Sequence, residues 1–221
     1  MADYIIQLLL SLPIIFLALS LHETAHGYVA YKLGDPTAKN LGRLTLNPAK
    51  HLDPIGFICM LLAGFGWANP VPINSRNFKK PRKDIALTSL AGPVSNLLLA
   101  FVFVIVMRFS YMPINKAIIS ASIQGNTALA DIYYYIYVFI YLAIHMNITL
   151  AVFNLLPIPP LDGSKILYMF LPPKTYFKIA PYERYISLAF MLLLLLGVIS
   201  PVLSTATNWI SNLMFKVVGL A

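Results

Sequence analysis

Charged residues are scarce in this sequence: Asp, Glu, Lys and Arg make up 11% of its 221 residues, whereas 59% are hydrophobic. A soluble domain carries roughly a quarter charged residues. The deficit excludes an ordinary soluble domain and indicates an integral membrane protein in a lipid bilayer. The longest polar stretch, about residues 32–53, is shorter than the roughly 40 residues that an unaided domain needs. We therefore expect a single domain over residues 1–221.

Cysteine and an N-terminal basic region are also nearly or wholly missing. The one cysteine, Cys59, excludes an internal disulfide and a cysteine-based zinc cluster. No basic residue precedes the first apolar run, so we expect no cleavable signal peptide. The net charge of +8 comes from basic residues in short loops between apolar segments. This distribution is typical of orientation by the positive-inside rule and does not indicate a nucleic-acid partner.

The apolar runs predict an all-α, multi-pass membrane fold with about four full transmembrane helices. The run at about 55–67 would make only about 20 Å of helix, too little for a hydrocarbon core of about 30 Å. We expect it to be a short helix or a re-entrant segment. Residues 108–130 are predicted to be a looser connection, and 205–220 a weakly amphipathic helix at the interface. The predicted spans are about 4–31, 85–107, 131–153 and 185–203.

Basic residues in the loops predict the orientation of these spans. The loops at 32–53 and 68–84 are both rich in Lys and Arg, so both are expected on the cytoplasmic side. The run at 55–67 must then enter and leave on one side, as a re-entrant hairpin does. The first helix ends on this side, which predicts a multi-pass protein of the cell membrane with its polar centre near the cytoplasm.

An H-E-x-x-H pattern, formed by His22, Glu23 and His26, follows directly from the first apolar run. Residues four apart lie on one face of a helix, so the two imidazoles can hold one zinc ion. Glu23 can reach a water on the same metal and act as its general base. In a soluble helix this pattern often has no function, but ionisable residues in a membrane helix usually mark a functional site.

Asp162 is the candidate third ligand. It follows an apolar turn with prolines at 157, 159 and 160, which cannot continue a helix. Irregular backbone within a membrane is tolerated only against protein or a water-filled cavity. The turn therefore places Asp162 at about the depth of the two histidines, where it completes a two-histidine, one-carboxylate set. The alternative is a carboxylate that only caps the following helix.

Four motifs together resemble the site-2 protease family of intramembrane zinc metalloproteases. They are HETAH in an N-terminal membrane helix, NPVPIN, AGPVSN and FNLLPIPPLDG. The resemblance covers about residues 15–170 and leaves 171–221 as a C-terminal membrane helix and interfacial tail. The sequence has no room for a PDZ insertion or a nucleotide-sensing domain, so it resembles a minimal, single-domain member.

The resemblance implies an enzyme that hydrolyses peptide bonds within or near the transmembrane segments of membrane protein substrates. Glu23 is then the catalytic base, and Asn154 matches a family asparagine close to the active site that is implicated in substrate or transition-state contacts. Asn147 either lines the cavity beside Asn154 or only packs, and His145 is either a packing histidine or a further ligand. One zinc ion per chain is implied, with the ligands His22, His26 and Asp162.

Two short segments, Gly42–Asn47 and Val71–Asn74, predict a small β-strand region near the active site. A substrate helix must unwind before hydrolysis, and an exposed strand edge could capture it by strand addition. The strands could equally be a structural cap. An oligomer is compatible with this sequence.

Two other functions stay open from the sequence. A zinc-handling transporter would also place histidines and a carboxylate in the membrane, but its path would usually show polar residues along several spans. The second and fourth predicted spans have almost none. A catalytically silent membrane scaffold would be expected to lack Glu23 or Asp162, and both are present.

Overall fold

The computed structural model describes residues 2–63, 66 and 68–220, and regular structure in this part of the chain is helical. Short 3₁₀ turns lie at Pro48–Lys50, Ser75–Asn77 and Ala180–Tyr182. The α-helices are α1 (Ala2–Lys32), α2 (Thr37–Asn40), α3 (Pro54–Ala63), α4 (Pro81–Ile123), α5 (Thr127–Leu155), α6 (Asp162–Phe170), α7 (Pro173–Ile179), α8 (Glu183–Leu195) and α9 (Ser200–Val217).

Three of these helices, α1, α4 and α5, are long and apolar enough to cross a membrane, and α8 with α9 makes a fourth crossing if the bent pair is one span. Helices α4 and α5 pack side by side around a buried aliphatic cluster that includes Val104 and Ile144. Buried small residues such as Ala100 and Ala143 let helices approach closely, as in other membrane bundles. The all-α, multi-pass prediction is confirmed at this level.

The predicted loose connection at 108–130 is wrong. Helix α4 runs on to Ile123 and is 43 residues long, so only residues 124–126 connect it to α5. The turn comes at Gly125, whose φ of +71° favours glycine. Asn126 then starts α5, because its side chain accepts a hydrogen bond from the Leu129 amide. The stop signal is thus a Gly-Asn pair, later in the chain than the fall in hydropathy.

The predicted span at 185–203 is not one straight helix. Helices α8 and α9 meet at an angle of 79°. Gly197 takes a φ of +72° at the break, and Pro201 lies in the first turn of α9, where a missing N–H costs nothing. Helix α9 covers most of the predicted tail and packs on α5, where the Thr149 and Thr207 hydroxyl oxygens are 3.2 Å apart.

The predicted β-strand region near the site is not confirmed. Among the described residues, β-type pairing is limited to one isolated bridge between Leu52 and Ala68. Side chains occupy the backbone acceptors that a sheet would need: Arg43 donates to the Asn69 and Pro70 carbonyls, and Thr24 donates to the Thr45 carbonyl. Pro72, in the second segment, also has no N–H to donate.

The ends of the short apolar run at 55–67 lie side by side. Leu52 pairs with Ala68, and the Asn69 amide donates to the His51 carbonyl at 2.7 Å. Helix α3, which ends at Ala63, is only 10 residues long. This return of the chain to its starting point is the geometry that a re-entrant hairpin requires. Residues 64, 65 and 67 of the predicted segment lie outside the described residues.

Candidate functional site

His22 and His26 project from one face of α1, one helical turn apart, and both are buried. Their ring planes are nearly perpendicular, at 87°, and their Nε2 atoms are 3.0 Å apart. The facing helix α4 presents Gly92, where an added Cβ would lie 2.4 Å from His26 Nε2 and 2.5 Å from His22 Nε2. Only glycine therefore leaves space between α4 and the two imidazoles.

Asp162, the first residue of α6, faces the same point. Its Oδ2 lies 3.2 Å from His22 Nε2 and 3.0 Å from His26 Nε2. Gly163 lets α6 start against the end of α5, since a Cβ there would be 2.3 Å from the Leu155 carbonyl oxygen. The other carboxylate oxygen, Oδ1, is 3.2 Å from the Lys165 ammonium. The proline-rich turn therefore brings Asp162 to the two histidines.

The outward-facing nitrogens of both imidazoles have acceptors. His26 Nδ1 lies 2.7 Å from the Thr88 carbonyl, and His22 Nδ1 lies 2.6 Å from Asn96 Oδ1. The Asn96 amide is oriented by its nitrogen, which donates to Asn147 Oδ1 at 3.1 Å. In a neutral imidazole, a proton on Nδ1 leaves a lone pair on Nε2. Both Nε2 atoms are thereby set as acceptors.

These three donor atoms fit a metal ion. With the proton on Nδ1 of each neutral imidazole, two lone pairs and a carboxylate oxygen face one another at 3.0–3.2 Å without an Nε2 proton between them. A cation at the centre of the triangle resolves this repulsion. In tetrahedral zinc sites with bonds of 2.0–2.2 Å, donor atoms are about 3.3–3.6 Å apart, so the three donors need to separate only slightly to hold the ion. The acceptors behind the histidines are the usual outer support of such a site.

Glu23 lies beside the triad, and a backbone group holds it. Its Oε2 accepts a hydrogen bond from the Val71 amide at 2.8 Å. Because Pro70 and Pro72 have no N–H, Val71 carries the one amide in this three-residue stretch that can reach the carboxylate. The Glu23 carboxylate is thus fixed next to the three donors.

Asp35 fastens the segment that carries Val71. This carboxylate is fully buried and accepts from the Asn74 amide at 2.7 Å, from Asn77 Nδ2 at 2.7 Å, and from the Thr37 amide and hydroxyl. Burial raises the pKa of Asp35, but the hydrogen bonds from Thr37, Asn77 and Asn74 lower it more, so the pKa lies below its ordinary value. The end of α1 and the 68–77 segment are joined through this one side chain.

A cavity of about 440 Å³ opens beside the triad. Glu23, Asn154 and Lys165 line it together with the three donors, and Phe190 and Met191 of α8 form an apolar wall. Asn154 is half-buried, and its Nδ2 donates to the Leu150 carbonyl at 2.9 Å. An amide nitrogen has a second N–H, which leaves Asn154 a donor for a bound molecule.

Asn147 lies outside the lining of this cavity. It is fully buried, receives the Asn96 hydrogen bond, and donates to the Ala143 carbonyl at 2.8 Å. Its contacts connect it to His22 through Asn96, so it supports the triad from behind.

Sequence reasoning missed three groups that shape the site: the Asn96 side chain, the Thr88 carbonyl and the Val71 amide. Asn96 carried a signal, because an amide side chain within an apolar span rarely lacks a role. The two backbone groups carry none, since every residue has a carbonyl and nearly every residue an amide. Gly92 and Asn96 both lie in the AGPVSN motif, where the sequence favours a close helix contact at Gly92 but does not identify the two histidines as its partners.

Comparison with known proteins gives consistent matches. The model of peptidase family M50 matches residues 10–198. The chain is 46% identical over 181 residues to YwhC of Bacillus subtilis, a candidate zinc metalloprotease by its name, over 81% of this chain and 77% of YwhC. Rip2 of Mycolicibacterium smegmatis, named in the same way, is 28% identical over 204 residues, 90% of this chain and 69% of Rip2.

A more distant match is the zinc metalloprotease MJ0392 of Methanocaldococcus jannaschii, 27% identical over 161 residues, which cover 73% of this chain and 34% of that protein. No solved structure matches the chain.

Proposed function

The chain belongs to peptidase family M50 and is a zinc metalloprotease of the site-2 type, and we propose that it hydrolyses peptide bonds within or beside the transmembrane segments of other membrane proteins. One observation carries this proposal. The buried triad, Glu23 and residues of α5 line one cavity, and α1 and α5 are long and apolar enough to cross a membrane. A protease site built into such helices meets its substrate at membrane depth.

The triad His22, His26 and Asp162 would hold the zinc ion. When bound, zinc supplies a Lewis acid that polarises the scissile carbonyl and makes a water more acidic. Glu23 takes a proton from the attacking water as the water oxygen bonds to the carbonyl carbon. Glu23 then delivers a proton to the leaving nitrogen as the C–N bond breaks. The Val71 amide keeps the carboxylate aimed at the cavity through both transfers.

Asn154 would stabilise the charge that develops on the carbonyl oxygen. It lines the cavity and has an amide N–H beyond the one that donates to Leu150. A donor that meets the oxyanion rather than the ground-state carbonyl accelerates the chemical step. Asn147 acts one step further out, because it orients the Asn96 amide that meets His22.

We place the site near the cytoplasmic side of the cell membrane. Basic residues are concentrated around 76–83, in a segment joined to the end of α1 through Asp35, and short loops rich in Lys and Arg face the cytoplasm. The bilayer is then both the environment of the enzyme and the solvent of its substrate.

Mapping of the cleaved bond tests the proposal. A single-span test protein in lipid nanodiscs is incubated with the purified enzyme, and the products are identified by mass spectrometry. We expect cleavage within or next to the apolar span, loss of cleavage with a zinc chelator and recovery when zinc is restored. Cleavage confined to soluble tails, or equal cleavage of an unfolded soluble protein, would overturn the intramembrane assignment.

A further inference from the structure

Four basic side chains cluster where α4 begins. This basic cluster consists of Arg76, Lys79, Lys80 and Lys83, and all four are exposed. The ion pairs among the described residues all involve Asp162, so no cluster member has a carboxylate partner there. The nearby carboxylate of Asp84 is buried and accepts from a backbone amide. The positive charge of the cluster is therefore not neutralised within this part of the molecule.

An exposed apolar stripe continues from the cluster along α4. At 100° per residue, its members lie within about 60° of the direction of Lys83. Each member is between 38% and 62% exposed, so the stripe is not covered by another helix. It starts one turn after Lys83 and runs for about three turns. The apolar stripe consists of Leu87, Leu90, Val94 and Leu98.

We propose that the basic cluster and the apolar stripe together bind one anionic phospholipid. The cations meet the negatively charged headgroup, and an acyl chain lies along the stripe. Clusters of four to eight Lys or Arg next to a transmembrane helix attract anionic lipids. Each basic residue raises the affinity for the lipid about fivefold. The uncharged face directly beyond the cluster fits a lipid better than a soluble anion, which would leave the stripe unused.

The bound lipid would also stabilise the catalytic machinery through two short connections. Arg76 lies between Asn74 and Asn77, which Asp35 holds, in the same segment that carries the Val71 amide. On the other side of the cluster, Arg82 donates to the Tyr168 and Leu171 carbonyls at the end of α6, the helix that starts with the ligand Asp162. Headgroup binding at Arg76 would thus restrain the segment that presents the Val71 amide, and Arg82 ties the start of α4 to the end of α6.

Lipid binding by the full-length protein tests this inference without any measurement of proteolysis. The delipidated protein in mild detergent is titrated with phosphatidylglycerol or phosphatidylcholine, and bound lipid is counted by native mass spectrometry. The test variant replaces all four cluster residues with Gln. A matched control removes the same charge from four other exposed basic residues: Lys50, Lys174, Lys178 and Arg184.

We expect the wild type and the control variant to retain phosphatidylglycerol in preference to phosphatidylcholine. The cluster variant should bind phosphatidylglycerol at least about tenfold more weakly. Equal binding of phosphatidylglycerol by the wild type and the cluster variant would overturn the site, as would equal binding of the two lipids by the wild type. Displacement of the lipid by millimolar glycerol 3-phosphate would show that a soluble phosphate is the ligand instead.

A second pair of variants tests the stripe itself. Leu90→Ser with Val94→Ser makes its centre polar without changing any charge, whereas Ile119→Ser with Ile123→Ser changes two more exposed apolar residues at the far end of α4. We expect weaker phosphatidylglycerol binding for the first pair only. Unchanged phosphatidylglycerol binding in the Leu90→Ser, Val94→Ser variant would show that the basic cluster attracts any anion without the apolar stripe. That result would contradict the lipid assignment.

Discussion

At the scale of single residues, Gly92 sets the distance between α4 and the metal site. An added methyl group would lie 2.4–2.5 Å from the Nε2 atoms of His26 and His22. Alanine raises intrinsic helix stability relative to glycine by about 1 kcal/mol, so a helical defect is not expected. Gly92→Ala should nevertheless lose most bound zinc, measured by metal analysis of the purified protein.

The control for this variant is Ser95→Ala, one turn away on α4. Its hydroxyl donates only to the Gly92 carbonyl within its own helix, so zinc should remain at about one equivalent. A full zinc equivalent in Gly92→Ala, with unchanged affinity, would contradict the close approach of α4 to the donors.

Asn96 supports the site through His22 alone. Asn96→Leu keeps a similar volume but removes the acceptor at His22 Nδ1 and the donor to Asn147. Loss of such an outer partner typically lowers metal affinity 10–100-fold. We expect a decrease of this size in competition with a chelator, together with partial recovery in Asn96→Asp, which restores the acceptor. Zinc binding as tight as in the wild type would show that Asn96 does not orient the imidazole.

The residues that meet at the candidate metal site could be singled out from sequence, whereas the groups that support them could not. His22, Glu23 and His26 are joined by helical spacing, and Asp162 follows a proline-rich turn that fixes its depth. The contact between His22 and Asn96 joins positions 74 residues apart, and its existence depends on how α1 crosses α4. Spacing along one helix says nothing about such a crossing.

At the scale of elements, Asp35 joins the end of α1 to the 68–77 segment. Asp35→Asn is isosteric but places an NH₂ group against donors, and hydrogen bonds to a charged group contribute about 1.5–3 kcal/mol. We expect a loss of about 2 kcal/mol in stability and slower cleavage, with zinc content unchanged. Thermal unfolding in detergent measures the first effect. Asp53→Asn is the control, because Asn caps a helix as well as Asp does.

The same contact predicts a dependence on pH. The folded pKa of Asp35 is below its ordinary value of about 3.9. Its contribution to stability is therefore complete above that value and is lost as the pH falls through the lower, folded pKa. Wild type should lose stability relative to Asp35→Asn below about pH 4. A constant difference between the two proteins from pH 7 to pH 3 would contradict the assigned role.

Element boundaries were harder to predict than element types. Helix α4 extends well beyond the predicted span because hydropathy falls near residue 108, whereas the helix continues through Pro113 and turns only at Gly125. The predicted fourth span, in contrast, is divided at Gly197 although it is apolar throughout. Hydropathy reports the surroundings of a helix, whereas both of these breaks lie at a glycine with a positive φ.

At the scale of the whole molecule, the proposed orientation predicts which residues each side of the membrane can reach. Ser75 lies in the basic segment before α4, and Gln124 lies in the turn at its other end; both are exposed. In a Cys59→Ser background, Ser75→Cys should react only with a membrane-impermeant reagent applied from the cytoplasmic side. Gln124→Cys should react only from outside. The opposite pattern would invert the molecule and move the site to the outer face.

The central claim is that Glu23 acts as a base beside a metal that other residues hold. Glu23→Gln keeps the size of the side chain and the acceptor for the Val71 amide, and it leaves the triad intact. A placed base contributes about 10²–10⁴-fold to the rate. This one variant therefore separates zinc binding from proton transfer.

The decisive measurement determines zinc content and cleavage of a single-span substrate on the same preparation of Glu23→Gln. The account predicts about one zinc per chain, as in the wild type, and a cleavage rate at least about 100-fold lower. Undiminished cleavage would contradict the assignment of Glu23 as the base, and loss of zinc together with activity would contradict its position outside the donor set.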